Sequence, residues 1–240
     1  MLKSRLCIAF FAFAVGCAPA QKPLTDYVNP MLGTATLWDS VDLGFKPTKR
    51  TWGAEVFPGS SLPNAMVQVS PVTKFHSGAG YQYEDSVIYG FTHTNKGHWN
   101  LCHIPLLPVT GTPTPGDYCS PFSHERESAA PGYYQVFLDR YGVDAQLSST
   151  LRCAFHKYTY PAGAAASLLA DLQRSNEHVR AWDIRKEGDN VFAGWQQTGE
   201  KMYFYAVANR PVTGIEPVVE GDREGVKFLR VDAEVASALS

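Results

Sequence analysis

The chain has 240 residues, with 21 Lys+Arg against 23 Asp+Glu and a formal net charge of -2. This balance offers no long-range attraction to nucleic acid or anionic lipid, so no nucleic-acid partner is expected, and membrane contact is expected only through an anchor. Hydrophobic residues at 45% against 18% charged exclude a disordered chain, and 12% aromatics with 20 Gly and 16 Pro favour strands joined by turns over a helix bundle.

The chain opens with an export signal. Lys3 and Arg5 precede the apolar run Leu6 to Val15, which Gly16-Cys17 follow. The run is too short to span a bilayer, which takes about 20 apolar residues. Residues 1–20 are read as signal and 21–240 as the mature domain. Two cleavage readings stand. Ala14-Val15-Gly16-Cys17 resembles a bacterial lipoprotein box, in which Cys17 is lipidated and becomes the mature N-terminus, although such boxes prefer Leu where Ala14 stands. Cleavage after Ala18-Pro19-Ala20 also fits the small-x-small rule. Either way the chain is expected in the periplasm or as an outer-membrane or cell-surface lipoprotein. Cys102, Cys119 and Cys153 then meet an oxidising compartment, where one disulfide at most can form, and buried free thiols are expected.

Along the mature chain, Ala65–Val69, Tyr133–Leu138, Val143–Leu147, Ala154–Tyr160 and Met202–Val207 are short runs of β-branched and aromatic residues, separated mostly by Gly, Pro, Asn or Asp. Residues 162–174 read as a turn leading into another strand, and Val226–Val231 as a late one. Strands at intervals of about 10–15 residues, without amphipathic helices between them, predict an antiparallel β-sandwich. Pro/Gly-rich loops are expected around Pro58 to Pro71 and Pro105 to Pro121. The end of the chain, without cap or charged tail, reads as a cut.

His93, His98 and His103, with Cys102, form the densest group of metal-type ligands, but their spacing of five fits neither CxxC-type nor helical i,i+4 sites, so no metal site is assigned. The segment Thr92 to Asn100, hydrogen-bonding side chains around Trp99, suits a sugar, whose C–H face meets a ring and whose hydroxyls meet amide and imidazole groups. Glu84 and Asp85 are neighbours and would face apart on a strand. Glu125 and Glu127 flank Arg126 as a solvated or salt-bridged loop. No GxSxG, P-loop, HExxH or GxGxxG signal is present, and no catalytic pair is assigned.

Taken in order, four blocks, Asp26-Tyr27-Val28-Asn29-Pro30-Met31-Leu32-Gly33-Thr34, Phe57 to Pro71, Gly78-Ala79-Gly80-Tyr81 and Ile88-Tyr89-Gly90-Phe91-Thr92-His93-Thr94, resemble the N-terminal domain of glycoside hydrolase family 92. Ser123-His124-Glu125-Arg126-Glu127 and Pro131-Gly132-Tyr133-Tyr134 extend the series, which covers residues 26 to 172 or so. The chain departs from the family where Pro58-Gly59-Ser60 stands for Pro-Gly-Ala, where Pro63-Asn64-Ala65 stands for Pro-Phe-Gly, and where Asn95 to Asn100 replaces a small, Gly-rich stretch. The resemblance implies the β-sandwich (supersandwich-like) domain of an exported, calcium-dependent, inverting exo-α-mannosidase acting on mannose-containing glycans. It also implies that the catalytic acid, the base and the calcium ligands lie in an (α/α)-barrel absent from this chain, so that the chain is inactive alone.

The sugar cleft is then expected at the loops carrying Trp52, Phe57, Gly59, His93, Asn95, His98 and Trp99, because irregular backbone held by a sheet displays binding groups. Two roles are open to Trp99 and His93: stacking and hydrogen bonding to sugar, or core packing and satisfaction of a buried carbonyl. The competing function is a free-standing carbohydrate-binding β-sandwich lipoprotein without chemistry. A structural surface module with purely core aromatics is a third.

Overall fold

The computed structural model describes residues 22–36, 55–95, 101–113, 116–220 and 223–231. Its strands, in chain order, are β1 (Ser60–Ser61), β2 (Gln68–Val72), β3 (Val87–Ile88), β4 (Gly90–Thr92), β5 (Leu106–Thr110), β6 (Ser120–Pro121), β7 (Glu127–Ala130) and β8 (Tyr133–Leu138). They continue with β9 (Val143–Ser149), β10 (Ala154–Thr159), β11 (Ala166–Asp171), β12 (Ala181–Lys186), β13 (Val191–Gln197), β14 (Lys201–Val207), β15 (Val212–Glu220) and β16 (Arg223–Val231). The pairings are antiparallel. They form a seven-stranded sheet in the order β1-β2-β4-β5-β11-β16-β15, a four-stranded sheet β10-β9-β8-β7, a three-stranded sheet β12-β13-β14 and a ribbon β3-β6.

The four-stranded sheet carries the period-two pattern of a sheet with one wet face. Strand β8 alternates to bury Tyr134, Val136 and Leu138, and β9 to bury Val143, Ala145 and Leu147. These side chains meet Val69, Phe91, Leu107, Val109 and Leu169 of the seven-stranded sheet in one core. Strands β5 and β11 instead bury residues in succession, because their opposite face is covered as well. There Leu106 and Ala170 join Leu172, Ile184, Phe192 and Val212 in a second core beneath the three-stranded sheet. The all-β sandwich expected from the sequence is the architecture observed, with a third layer on its back.

Strands β8, β9, β10 and β14 fall where the β-branched and aromatic runs place them, and β11 and β16 cover the two further stretches read as strands. The first expected strand starts later. The Pro63-Asn64 turn, with Asn64 at φ 57°, closes through Ala65 N–H on the Leu62 carbonyl, and Met66 N–H donates to Leu151, so β2 begins only at Gln68. The two expected Pro-rich loops contain β1, β2, β5 and β6. Pro71 and Pro108 can occupy these strands because the β1 pairing of β2 ends at Val69 and the β4 pairing of β5 ends at Leu106, so on those sides neither position needs an N–H. Among the described residues the three thiols are free, and of these only Cys102 is buried. Cys119 is half-buried, and Cys153 is exposed in the turn between β9 and β10.

Replacing buried Leu147 by Ala should cost about 3 kcal/mol through lost transfer energy and a residual cavity. Replacing Phe155, 61% exposed on the adjoining strand β10, should change stability by no more than about 0.5 kcal/mol. Urea unfolding of the two variants checks the direction in which these strands face.

Candidate functional site

The structure describes both ends of the segment that follows β4, up to Asn95 and again from Leu101; His98 and Trp99, like Trp52 and Cys17, lie outside the described residues. On the entry side Asn95 is buried. Its Nδ2 donates to the Gln68 carbonyl at 2.8 Å, its backbone N–H donates to Gln68 Oε1 at 3.2 Å, and its Oδ1 accepts from Thr92 Oγ1 at 3.2 Å and from the Cys102 thiol at 3.4 Å. Gln68 N–H donates in turn to the His93 carbonyl. Asn95 thus closes the chain against β2, with its amide taken up inside the protein.

The exit side is strained. Leu101, Cys102 and Ile104 have φ of 75°, 59° and 55°, a conformation costly for residues with a β-carbon and most of all for β-branched Ile104. Hydrogen bonds hold them there. Cys102 N–H donates to the Thr94 carbonyl at 2.7 Å, Ile104 N–H donates to Gln196 Oε1 at 2.8 Å, and the Leu101 carbonyl accepts from Asn176 N–H at 2.9 Å. Asn176 also ties in the neighbouring loop, through His76 N–H and the Gly78 carbonyl. His103 is buried between Thr94 Oγ1 and Thr198 Oγ1, and burial lowers its pKa although Glu177, 3.8 Å away, opposes the shift.

His93 faces inward. Its Nδ1 lies 2.7 Å from the Ile104 carbonyl and its Nε2 lies 2.9 Å from His156 Nε2, while His156 Nδ1 lies 2.7 Å from the Tyr158 hydroxyl. A carbonyl only accepts, so His93 Nδ1 carries the hydrogen; His93 Nε2 then accepts from His156, and His156 Nδ1 accepts from Tyr158. Both rings are neutral in this chain of bonds. Of the two roles open to His93 in the sequence, bonding to a buried carbonyl is the one observed. Burial pushes its pKa down to about 4, against the Ile104 bond, and burial followed by the neighbouring His93 holds His156 well below the ordinary 6.5.

Phe57 is half-buried and Gly59 packs directly on β2. A β-carbon on Gly59 would fall 2.0 Å from the Val69 carbonyl oxygen, so this position requires glycine for close backbone approach. Because Val69 adjoins Gln68, the structure brings Gly59, His93 and Asn95 together around β2.

Two groups escaped the sequence reading. Glu127, taken there as part of a solvated loop, has a side chain only 1% exposed. Its carboxylate accepts from Tyr81 Oη at 2.9 Å and Tyr134 Oη at 2.5 Å and pairs with His124 Nδ1 at 2.5 Å. His124 Nε2 reaches the Tyr83 carbonyl, and its ring stacks on Tyr83 with centroids 3.9 Å apart. Glu125 and Arg126 are exposed as expected. The Pro-Gly-Tyr-Tyr signature, one strand on, could have pointed to an acceptor for Tyr134. Glu84 and Asp85 lie in a turn rather than on a strand and line one shared depression.

The described residues thus form a layered antiparallel β-domain whose irregular loops are pinned by buried amides and imidazoles. The sequence matches the glycosyl hydrolase family 92 N-terminal domain over residues 27–234, and the chain belongs to that family. Among solved structures it resembles a family GH92 alpha-mannosidase from Bacteroides thetaiotaomicron in complex with mannoimidazole, at 26% identity and a TM-score of 0.73, covering 88% of this chain and 30% of that one. A family GH92 inverting mannosidase from Bacteroides thetaiotaomicron VPI-5482, at 22% identity and a TM-score of 0.68, covers 88% of this chain and 30% of its own and shares the fold. The chain therefore spans under a third of the length of these solved relatives. No curated protein matches it by sequence.

The unfolded chain binds more protons than the folded one between about 4 and the ordinary histidine value of 6.5, so stability should fall as pH drops through that window. In His156→Gln the slope of urea midpoint against pH should be shallower there. Glu127→Ala, which leaves two tyrosine hydroxyls and His124 without their acceptor, should lower unfolding free energy by about 3 kcal/mol or more, read by the same method.

Proposed function

We propose that the chain is the N-terminal domain of an exported, calcium-dependent, inverting exo-α-mannosidase and helps to build its sugar-binding cleft, with chemistry supplied by an (α/α)-barrel domain. The observation that carries this reading is the family match together with the likeness to an alpha-mannosidase solved with mannoimidazole. Within it, Gly59, His93 and Asn95 hold the loop frame, while Phe57, Trp52, His98 and Trp99 contact the glycan. The outer face of the three-stranded sheet supports a packing surface for a further domain, since Tyr203, Tyr205 and Val207 stand exposed in one row on β14.

Inversion takes two carboxyl groups about 6.5–9.5 Å apart with a water between them, and both are assigned to the barrel. Calcium, a hard ion that takes six to eight oxygens, would hold sugar hydroxyls in the complete enzyme. On the family reading its ligands belong to the barrel; among the described residues no three His, Cys, Asp or Glu side chains converge on a point that could hold a metal.

The purified chain should not hydrolyse an aryl α-mannoside with or without calcium, whereas a chimera placing residues 27–234 before the barrel of a solved relative should. Turnover by the chain alone would overturn this division of labour, and a folded, inactive chimera would overturn the mannosidase reading. Mass spectrometry of membranes from a Gram-negative host should find the mature chain starting at an acylated Cys17; an unmodified start at Gln21 would remove the anchor and keep export.

A further inference from the structure

We propose that the depression lined by Thr73, Lys74, Phe75, Asp85, Tyr89 and Arg174 binds a neutral pyranose ring, at a site separate from the loop frame after β4. Its volume of about 480 Å³ lies within the range of small-molecule sites, roughly 300–1,000 Å³.

The polar groups are set in advance. Asp85 Oδ2 accepts from Thr73 Oγ1 at 2.8 Å, and that hydroxyl, itself buried, accepts from Gln82 N–H at 2.9 Å. One carboxylate orientation results, and among the described residues Oδ1 has no hydrogen-bond partner, which leaves it for a ligand. Arg174, which also lines the depression, faces Asp171 through Nε at 3.3 Å, and its guanidinium carbon lies 5.5 Å from the Tyr89 ring centre and 5.6 Å from that of Tyr118. The Tyr118 hydroxyl donates to Asp171, the carboxylate that pairs with Arg174 Nε, and among the described residues no hydrogen bond takes up the terminal nitrogens of Arg174. The rings of Phe75 and Tyr89, with centres 6.2 Å apart, form the apolar wall. At the rim Glu84 accepts from Thr36 N–H at 2.6 Å and from its hydroxyl.

Charge selects the ligand class. Lys74 and Arg174 oppose an organic cation, and Glu84 and Asp85 oppose an anion. A ring with vicinal hydroxyls satisfies both walls at once: one hydroxyl donates to Asp85 Oδ1, the next accepts from Arg174 or Lys74, and the C–H face lies on an aromatic ring. Arg174 also stands two residues from Asn176, and its carbonyl accepts from the Gln196 amide that holds Ile104, so the depression shares its support with the strained exit at Leu101–Ile104.

The test follows backbone amide NMR shifts of the isotope-labelled 240-residue chain during titration with methyl α-D-mannopyranoside and, separately, methyl β-D-galactopyranoside. The first probe rests on the proposed function; the chemistry of the depression asks only for a neutral polyhydroxylated ring. Saturable, millimolar-range shifts at Thr73, Asp85, Tyr89 and Arg174 with either sugar support the site, and binding there should weaken about tenfold in Asp85→Asn and in Arg174→Met. Should one variant fail to fold, the other decides. Saturation by galactoside alone supports the site and counts against the mannoside reading. Shifts confined to residues 92–104, no saturation with either sugar, or folded variants that bind like the wild type overturn the site; the first of these leaves the mannosidase reading standing.

Discussion

The seven-stranded sheet is covered on both faces, and its central strands therefore carry apolar side chains in succession: Leu106 then Leu107 on β5, Leu169 then Ala170 on β11. A strand in this position has no wet row of its own, and the backbone where it enters and leaves the sheet meets protein instead of water. At the start of β5 the Pro105 carbonyl accepts from Asp171 N–H, and Ile104 N–H finds Gln196. The conformation of the flanking loops follows from satisfying these groups.

Side-chain amides take the place of missing strand partners throughout this region. Gln68 and Asn95 bond each other's backbone, Asn176 joins the loops at His76 and Leu101, and Gln196 reaches the Leu172 and Arg174 carbonyls as well as Ile104. A neutral amide offers donor and acceptor together without the desolvation cost of a charge. Such a frame holds Leu101, Cys102 and Ile104 in unfavourable backbone conformations, and strain of this kind persists only where the surroundings over-determine it.

Among the described residues His93, His156 and Glu127 show two ways of burying an ionisable group: keeping it neutral, or surrounding it with donors. His93 and His156 stay neutral because their chain of bonds from Ile104 to Tyr158 is complete without an added proton. Glu127 stays buried because tyrosine hydroxyls and His124 converge on it. Loops stiffened from within in this way can meet a ligand without first being ordered by it.

Local pattern made much of this legible from residues alone. Alternation in Tyr133–Leu138 and Val143–Leu147 specifies strands because side-chain direction reverses at every residue, and the ordered blocks from Asp26 to Tyr134 specify the family. The irregular backbone around His93 and Asn95 was legible as well. Only tertiary structure decided what those residues touch. His93 meets His156 across 63 positions, Gly59 meets Val69 through the β1–β2 register, and Glu127 is enclosed by Tyr81 from a distant loop as well as by Tyr134. Whether Pro71 and Pro108 break a strand or sit within one depended on where the neighbouring strands stop. The reason is physical: a residue's alternation is written in its immediate neighbours, whereas its partners are set by register between segments far apart in the chain, which exists only once both faces of the central sheet are buried.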